Sequence, residues 1–126
     1  MTIANTGNAA DFGNLSAARD LAAGASSATR GLICNGLDGS ANLNIIEYVT
    51  IANTGNTTDF GDSTISNRSR AAVSSTVRAV IAGGINSNDT MDYVTIASTG
   101  NATDFGNLTA AKSNMSGASN AHGGLS

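Results

Sequence analysis

The side chains able to do chemistry in this sequence are few, and most of them come in matched sets. Asp11, Asp59 and Asp104 each stand before Phe-Gly, the spelling of a magnesium-holding motif in phosphoryl-transfer enzymes. No glycine-rich phosphate loop, catalytic lysine or His-Arg-Asp segment accompanies them, and a catalytic centre is built once rather than in every repeat. Their expected role is structural, a carboxylate accepting the N–H groups of a turn. Asp38, Ser40, Asn42 and Asn44 place oxygen-bearing side chains at alternate positions, and Asn86, Asn88, Asp89 and Asp92 make a second oxygen-rich loop. Calcium takes such ligands, but the closing bidentate Glu of an EF-hand is missing, so turn formation is the preferred reading. His122 is the single His, so one chain cannot assemble a His-based metal cluster or a catalytic triad. Cys34 is the single Cys; it permits no internal disulfide and reads as a small buried hydrophobe on an apolar strand. Arg30 and Arg78 hold the same place in two repeats and are expected to bridge neighbouring units or loops.

The elements that must position these residues follow from a repeat. Thr2 to Leu15 reads TIANTGNAADFGNL, Thr50 to Asp62 reads TIANTGNTTDFGD and Thr95 to Leu108 reads TIASTGNATDFGNL, with the opening threonines 48 and then 45 residues apart. A period in the forties marks a repeat architecture in which one supersecondary unit buries its apolar face only against its neighbours. The chain is read as one repeat domain, 1–126, with repeat 1 at 2–49, repeat 2 at 50–94 and a partial repeat 3 at 95–126. Ile45 to Ala52 and Met91 to Ala97 alternate β-branched or aromatic residues and predict strands. Asn53-Thr54-Gly55-Asn56 and its counterparts supply a turn. A short strand is expected around each Phe, at Ala10 to Leu15, Thr58 to Asp62 and Thr103 to Leu108. The small-residue stretches Ser16 to Ser27 and Ser66 to Ser75 are read as strands suited to close stacking, with a helix as the alternative for the Ala-rich first copy. Gly31 to Gly36 and Ala79 to Gly84 are apolar runs closed by turn residues, hence buried strands. One repeat therefore holds about four strands.

Composition narrows the function classes. Charged residues are 12% and the net charge is −3, so neither a basic nucleic-acid footprint nor a polybasic membrane anchor is expected. No apolar run approaches the roughly 18 residues of a membrane span, and Met1 opens straight into the repeat, so no export signal is expected in the chain as written. Asn, Ser, Thr and Gly are abundant and Pro is absent, a composition compatible with disorder. Against disorder stand the five aromatics at fixed offsets, each Phe ten residues after the opening Thr and both Tyr two residues before it.

Four short strands in such a period form the blade of a β-propeller. The order resembles the kelch family: an apolar strand ending in Gly83-Gly84, an aromatic strand at Tyr93, then a Leu and a basic residue (Leu15 and Arg19, Leu108 and Lys112) before a small-residue strand. Asn35-Gly36 replaces the double Gly in the other copy, Phe stands where the family often has Trp, and Asn67 stands where the basic residue is expected. The phrase DYVTIASTGNATDFGNL is similar to kelch-like repeats of marine bacteriophage proteins associated with tails or virions. The resemblance implies an all-β fold of four-stranded antiparallel blades, just under three per chain. Propellers commonly have about four to eight blades, so closure is expected from association of chains. In that reading Gly123, Gly124 and Leu125 of one copy complete the blade begun by Thr2 and Ile3 of the next, giving a ring or a filament.

The expected function is non-enzymatic: a structural or recognition protein, virion-borne or extracellular, whose variable loops present Asp38, Asn42, Asn86, Asn88 and Asp89 to a glycan or cell-surface receptor. The alternative is a purely structural self-assembling subunit without a ligand. Copper-dependent oxidases share the kelch fold, but their centres need a set of His and Tyr ligands that a chain with one His does not supply, so no catalytic residue, metal or cofactor is expected.

Overall fold

A computed structural model describes residues 4–119. Sheet A is a meander of β1 (Ala23–Ser26), β2 (Arg30–Leu37), β3 (Asn42–Thr50) and β4 (Thr58–Asp62). Sheet B repeats it with β5 (Ala71–Ser74), β6 (Arg78–Ala82), β7 (Thr90–Thr95) and β8 (Thr103–Asn107). Every pairing is antiparallel, and among the described residues there is no helix. The all-β expectation holds, and the helical alternative for the Ala-rich segment fails because Ala23–Ser26 pairs with β2 along its whole length.

Two expectations are corrected. The small-residue strand does not follow the Phe strand within one sheet; it opens the next sheet, as β5 pairs with β6 through a tight hairpin. Ser27 and Ser75 make those hairpin tips, each hydroxyl accepting the N–H groups two and three residues on. The sheets are thus out of phase with the repeated wording. Second, Ala10 to Leu15 forms no strand, because no described Tyr-bearing strand of its own repeat lies beside it to complete a ladder.

The sheets meet along their small-residue strands, where Ser74 Oγ donates to Ser26 O at 2.8 Å and accepts from Ser26 N at 3.3 Å. Side chains larger than Ala or Ser would hold these backbones apart. The core gathers Leu32, Cys34, Ile46 and Phe60 from sheet A with Ala79, Ile81 and Val94 from sheet B and Ile96 just past β7. Bulges after Cys34, Ile46 and Met91 interrupt the ladders. At the first of them Asn35 takes φ 59°, matching Gly83 at 71° in sheet B, which is why Asn can stand for Gly there. Asn35 is fully buried and fully used: Nδ2 donates to Leu43 O at 3.1 Å and Ile65 O at 3.2 Å, and Oδ1 accepts from Ser63 Oγ at 3.0 Å.

The bulges in β3 and β7 bury a carboxylate at equivalent places, Glu47 and Asp92. Arg19 pairs with Glu47 at 2.8 Å, and Ser16 N donates to the other oxygen at 3.2 Å. Asn67 occupies the aligned place in the next repeat, and its missing charge is supplied three residues on by Arg70, 2.8 Å from Asp92. Arg70 also donates to Gly83 O at 2.9 Å and to Ile81 O and Thr90 O at 3.1 Å, while Thr64 Oγ1 donates to Asp92. Removing one member of such a pair strands a buried charge at a cost of about 3–5 kcal/mol. Arg70→Ala is therefore expected to lower the urea midpoint by a stability loss of that size. Arg70→Met combined with Asp92→Leu should recover most of it, because no charge is then left unpaired.

Candidate assembly interface

A second contact between units recurs in the chain, and it is made by backbone. Phe60 O accepts from Gly100 N at 2.7 Å, Asp62 O accepts from Ala102 N at 2.7 Å, and Asp62 N donates to Asn101 Oδ1 at 3.0 Å. One repeat earlier, Phe12 O accepts from Gly55 N at 2.7 Å, Asn14 O from Thr57 N at 2.9 Å, and Asn14 N donates to Asn56 Oδ1 at 3.0 Å. The Phe-Gly-Asn/Asp segment of one unit is the inserted, or donor, piece of this joint, its carbonyls accepting the N–H groups of the Gly-Asn loop of the next unit, the receiver. Glycine is required in the donor strand. A Cβ on Gly13 or Gly61 would lie inside van der Waals contact of the facing Gly55 or Gly100 carbonyl, and their φ values of 149° and 141° are ones other residues rarely adopt. Asp11, Asp59 and Asp104 set the turn, each accepting the N–H of the glycine two residues on at 3.1–3.2 Å. That is the structural role expected for them.

The joint decides which aromatics are buried. Phe60 and Phe105 stand alike within their sheets, edge-on to Tyr48 at 6.0 Å and to Tyr93 at 5.8 Å. Yet Phe60 is 2% exposed under Ile96 and Ala102 of the next unit, and Phe105 is 48% exposed. Arg30 lies over Tyr48 and reaches across to donate to Ile96 O at 2.9 Å, the bridge expected for it. Arg78 lies over Tyr93 in the same way, and no described carbonyl of another unit accepts from it. Beside it opens an apolar groove of about 350 Å³ lined by Val73, Arg78, Val80, Phe105 and Ser119.

The loop residues singled out from sequence lie in the β2–β3 and β6–β7 hairpins, joined by the connector between the sheets. Asn67 accepts from Gly36 N at 3.2 Å through its carbonyl and from Ile85 N at 3.1 Å through Oδ1, and Arg68 donates to Asn42 Oδ1 at 2.9 Å. Neither Asn67 nor Arg68 carries a signal in the sequence that marks it as this bridge. Asp38 closes its own turn, and the N–H groups of Ala41 and Ser40 hold its carboxyl below the usual carboxylate range. Asn88 Oδ1 accepts from Thr90 N at 3.1 Å, Asp89 accepts from Asn107 Nδ2 at 3.4 Å, and Asn86 takes φ 61°. Thus Asn42 and the Asn86–Asp89 loop come to one edge, each engaged in local structure. Among the described residues no group of three His, Cys, Asp or Glu side chains is placed to hold a metal ion. Thr2, Ile3, Gly123, Gly124 and Leu125, expected in assembly, and His122 lie outside the described residues.

No family model matches the chain, and no curated protein matches it.

Cys34 is the one thiol, and burial pushes it up to about 12 from 9.0 against weaker pulls from the Arg70 and Arg19 guanidinium groups. A buried neutral thiol is inert. A thiol-disulfide reagent at pH 8 is expected to leave the folded protein unmodified and to titrate one thiol per chain once it is unfolded. The raised value also sets a sign. Ionisation favours only the unfolded chain, so between about pH 9 and 12 stability should fall by up to about 1.4 kcal/mol per pH unit, and Cys34→Ala should remove that share of the alkaline slope.

Proposed function

We propose that this chain is a non-enzymatic repeat protein that works by assembly, with its two sheets as successive kelch-like blades and further blades supplied by other copies. The observation that carries the reading is the joint at Phe12 and Phe60, which adds one unit to the next through main-chain hydrogen bonds and leaves Phe105 exposed on the outer side of sheet B. A contact that pairs one surface with a different one is heterologous, and its repetition gives a ring or a filament. The resemblance of DYVTIASTGNATDFGNL to phage tail and virion repeats would suit a particle component. The edge carrying Asn42, Asn86 and Asn88 is the surface offered to a glycan or cell-surface receptor, since variable loops on a rigid scaffold are where recognition concentrates.

Light scattering during size-exclusion chromatography of the 126-residue chain tests assembly. A closed oligomer or a series of larger species is expected, and a compact monomer at every concentration would overturn the reading. Recognition is tested on a glycan array, where Asn86→Ala with Asn88→Ala is expected to abolish binding. An ordered assembly that binds no glycan would leave the purely structural role.

A further inference from the structure

The geometry points to one defined contact between copies: Phe105-Gly106-Asn107 of one chain seated on the Gly7-Asn8-Ala9 loop of a second. The inference rests on the assembly reading above and specifies the surfaces that meet. It is carried by a pattern of used and unused halves. The joint occurs twice within the chain, Phe12-Gly13-Asn14 on Gly55-Asn56-Thr57 and Phe60-Gly61-Asp62 on Gly100-Asn101-Ala102. Two halves of the same spelling stand without a counterpart among the described residues. Gly7-Asn8-Ala9 has the receiving loop's sequence and is exposed throughout. Phe105-Gly106-Asn107 has the donor strand's sequence and its geometry: φ at Gly106 is 131°, close to 141° at Gly61, and Asp104 sets the turn as Asp59 does.

The contrast at glycine is the sharpest sign that this surface is open. The Cβ position of Gly61 is filled by the next unit's backbone, whereas that of Gly106 meets nothing among the described residues nearer than the Met91 methyl at 4.0 Å. Phe105 and the groove beside it, with Val73 and Val80, present the apolar surface that a neighbouring unit covers around Phe60. The same chain's loop does not occupy it, since no hydrogen bond joins Gly7 to Phe105 and no atom of that loop lies near Gly106. Phe12 docks on sheet A and Phe60 of sheet A docks on sheet B, so the stack runs from the amino-terminal segment through sheet A to sheet B. Its two unused halves face outward at opposite ends.

In the joint, Gly7 N would donate to Phe105 O, Ala9 N to Asn107 O, and Asn107 N to Asn8 Oδ1, reproducing the bonds of the two internal joints. The polarity is fixed, so each copy gives at one end and receives at the other.

The test uses variants of the whole chain. Gly106→Val fills the close approach and spoils the donor end. Phe105→Asp does so without touching the glycine, should the valine variant fail to fold, and Gly7→Pro removes the N–H that would donate to Phe105 O. Each is expected to lower the solution mass to that of one chain, with the far-UV β signal retained. Gly7→Pro mixed with either donor-end variant, each holding one intact half, should form a one-to-one heterodimer that goes no further. If the wild type associates and all variants keep its mass, or if the mixture stays monomeric, this joint is wrong while assembly by another surface stands. If the wild type is itself monomeric, the joint and the assembly reading fall together.

Discussion

The structure depends on a backbone-to-backbone approach between units that glycine alone permits. Where Gly61 meets Gly100, the next unit lies close enough to exchange main-chain hydrogen bonds, and Ile96 and Ala102 are drawn over Phe60. Each sheet alone is narrow and poor in large apolar side chains, with one Phe and one Tyr apiece, so it cannot enclose a core without that neighbour. The second contact, along β1 and β5, obeys the same limit in another way: Ala, Gly and Ser keep side chains out of the space the strands need, and Ser74 bonds directly to the Ser26 backbone. Close approach at both edges follows from small residues at both edges.

Within that frame each sheet carries a buried carboxylate at the bulge of its third strand, and the chain neutralises it differently each time. Arg19 reaches Glu47 from the connector before sheet A, leaving Nε and Nη1 without partners among the described residues. Arg70 reaches Asp92 from three positions further along and places its donors on three carbonyls as well. The shorter acid goes with the nearer and better-satisfied arginine. The position of the positive charge is free to move along the connector provided a guanidinium arrives, because burial of an unpaired carboxylate is what cannot be tolerated.

The assembly proposed above would use an interface rather than a cleft. Asp38 and Asn88 each spend a side-chain oxygen on their own turns, and the thiol is sealed in the core. What remains available is the exposed end of sheet B and the loop edge held together by Asn67 and Arg68.

The sequence by itself determined the period, the positions of most strands and the turns between them, since alternation of β-branched residues and the placement of Gly, Asn and Ser act over a few residues. It also determined that Thr58–Asp62 is a strand, that Cys34 is buried, and that the three Asp-Phe-Gly copies are structural. Only the tertiary structure decided which sheet each strand joins. The small-residue strand reads equally well after the Phe strand or before the apolar one, and the choice rests on hydrogen-bond partners supplied by β2 and β6. The same holds for Ala10 to Leu15, which spells a strand but pairs with a loop, and for Phe60 and Phe105, which share the spelling Thr-Asp-Phe-Gly and are opposite in exposure. Whether a strand spelling completes a ladder and whether its Phe is buried both depend on which neighbour is present, and that information is not local.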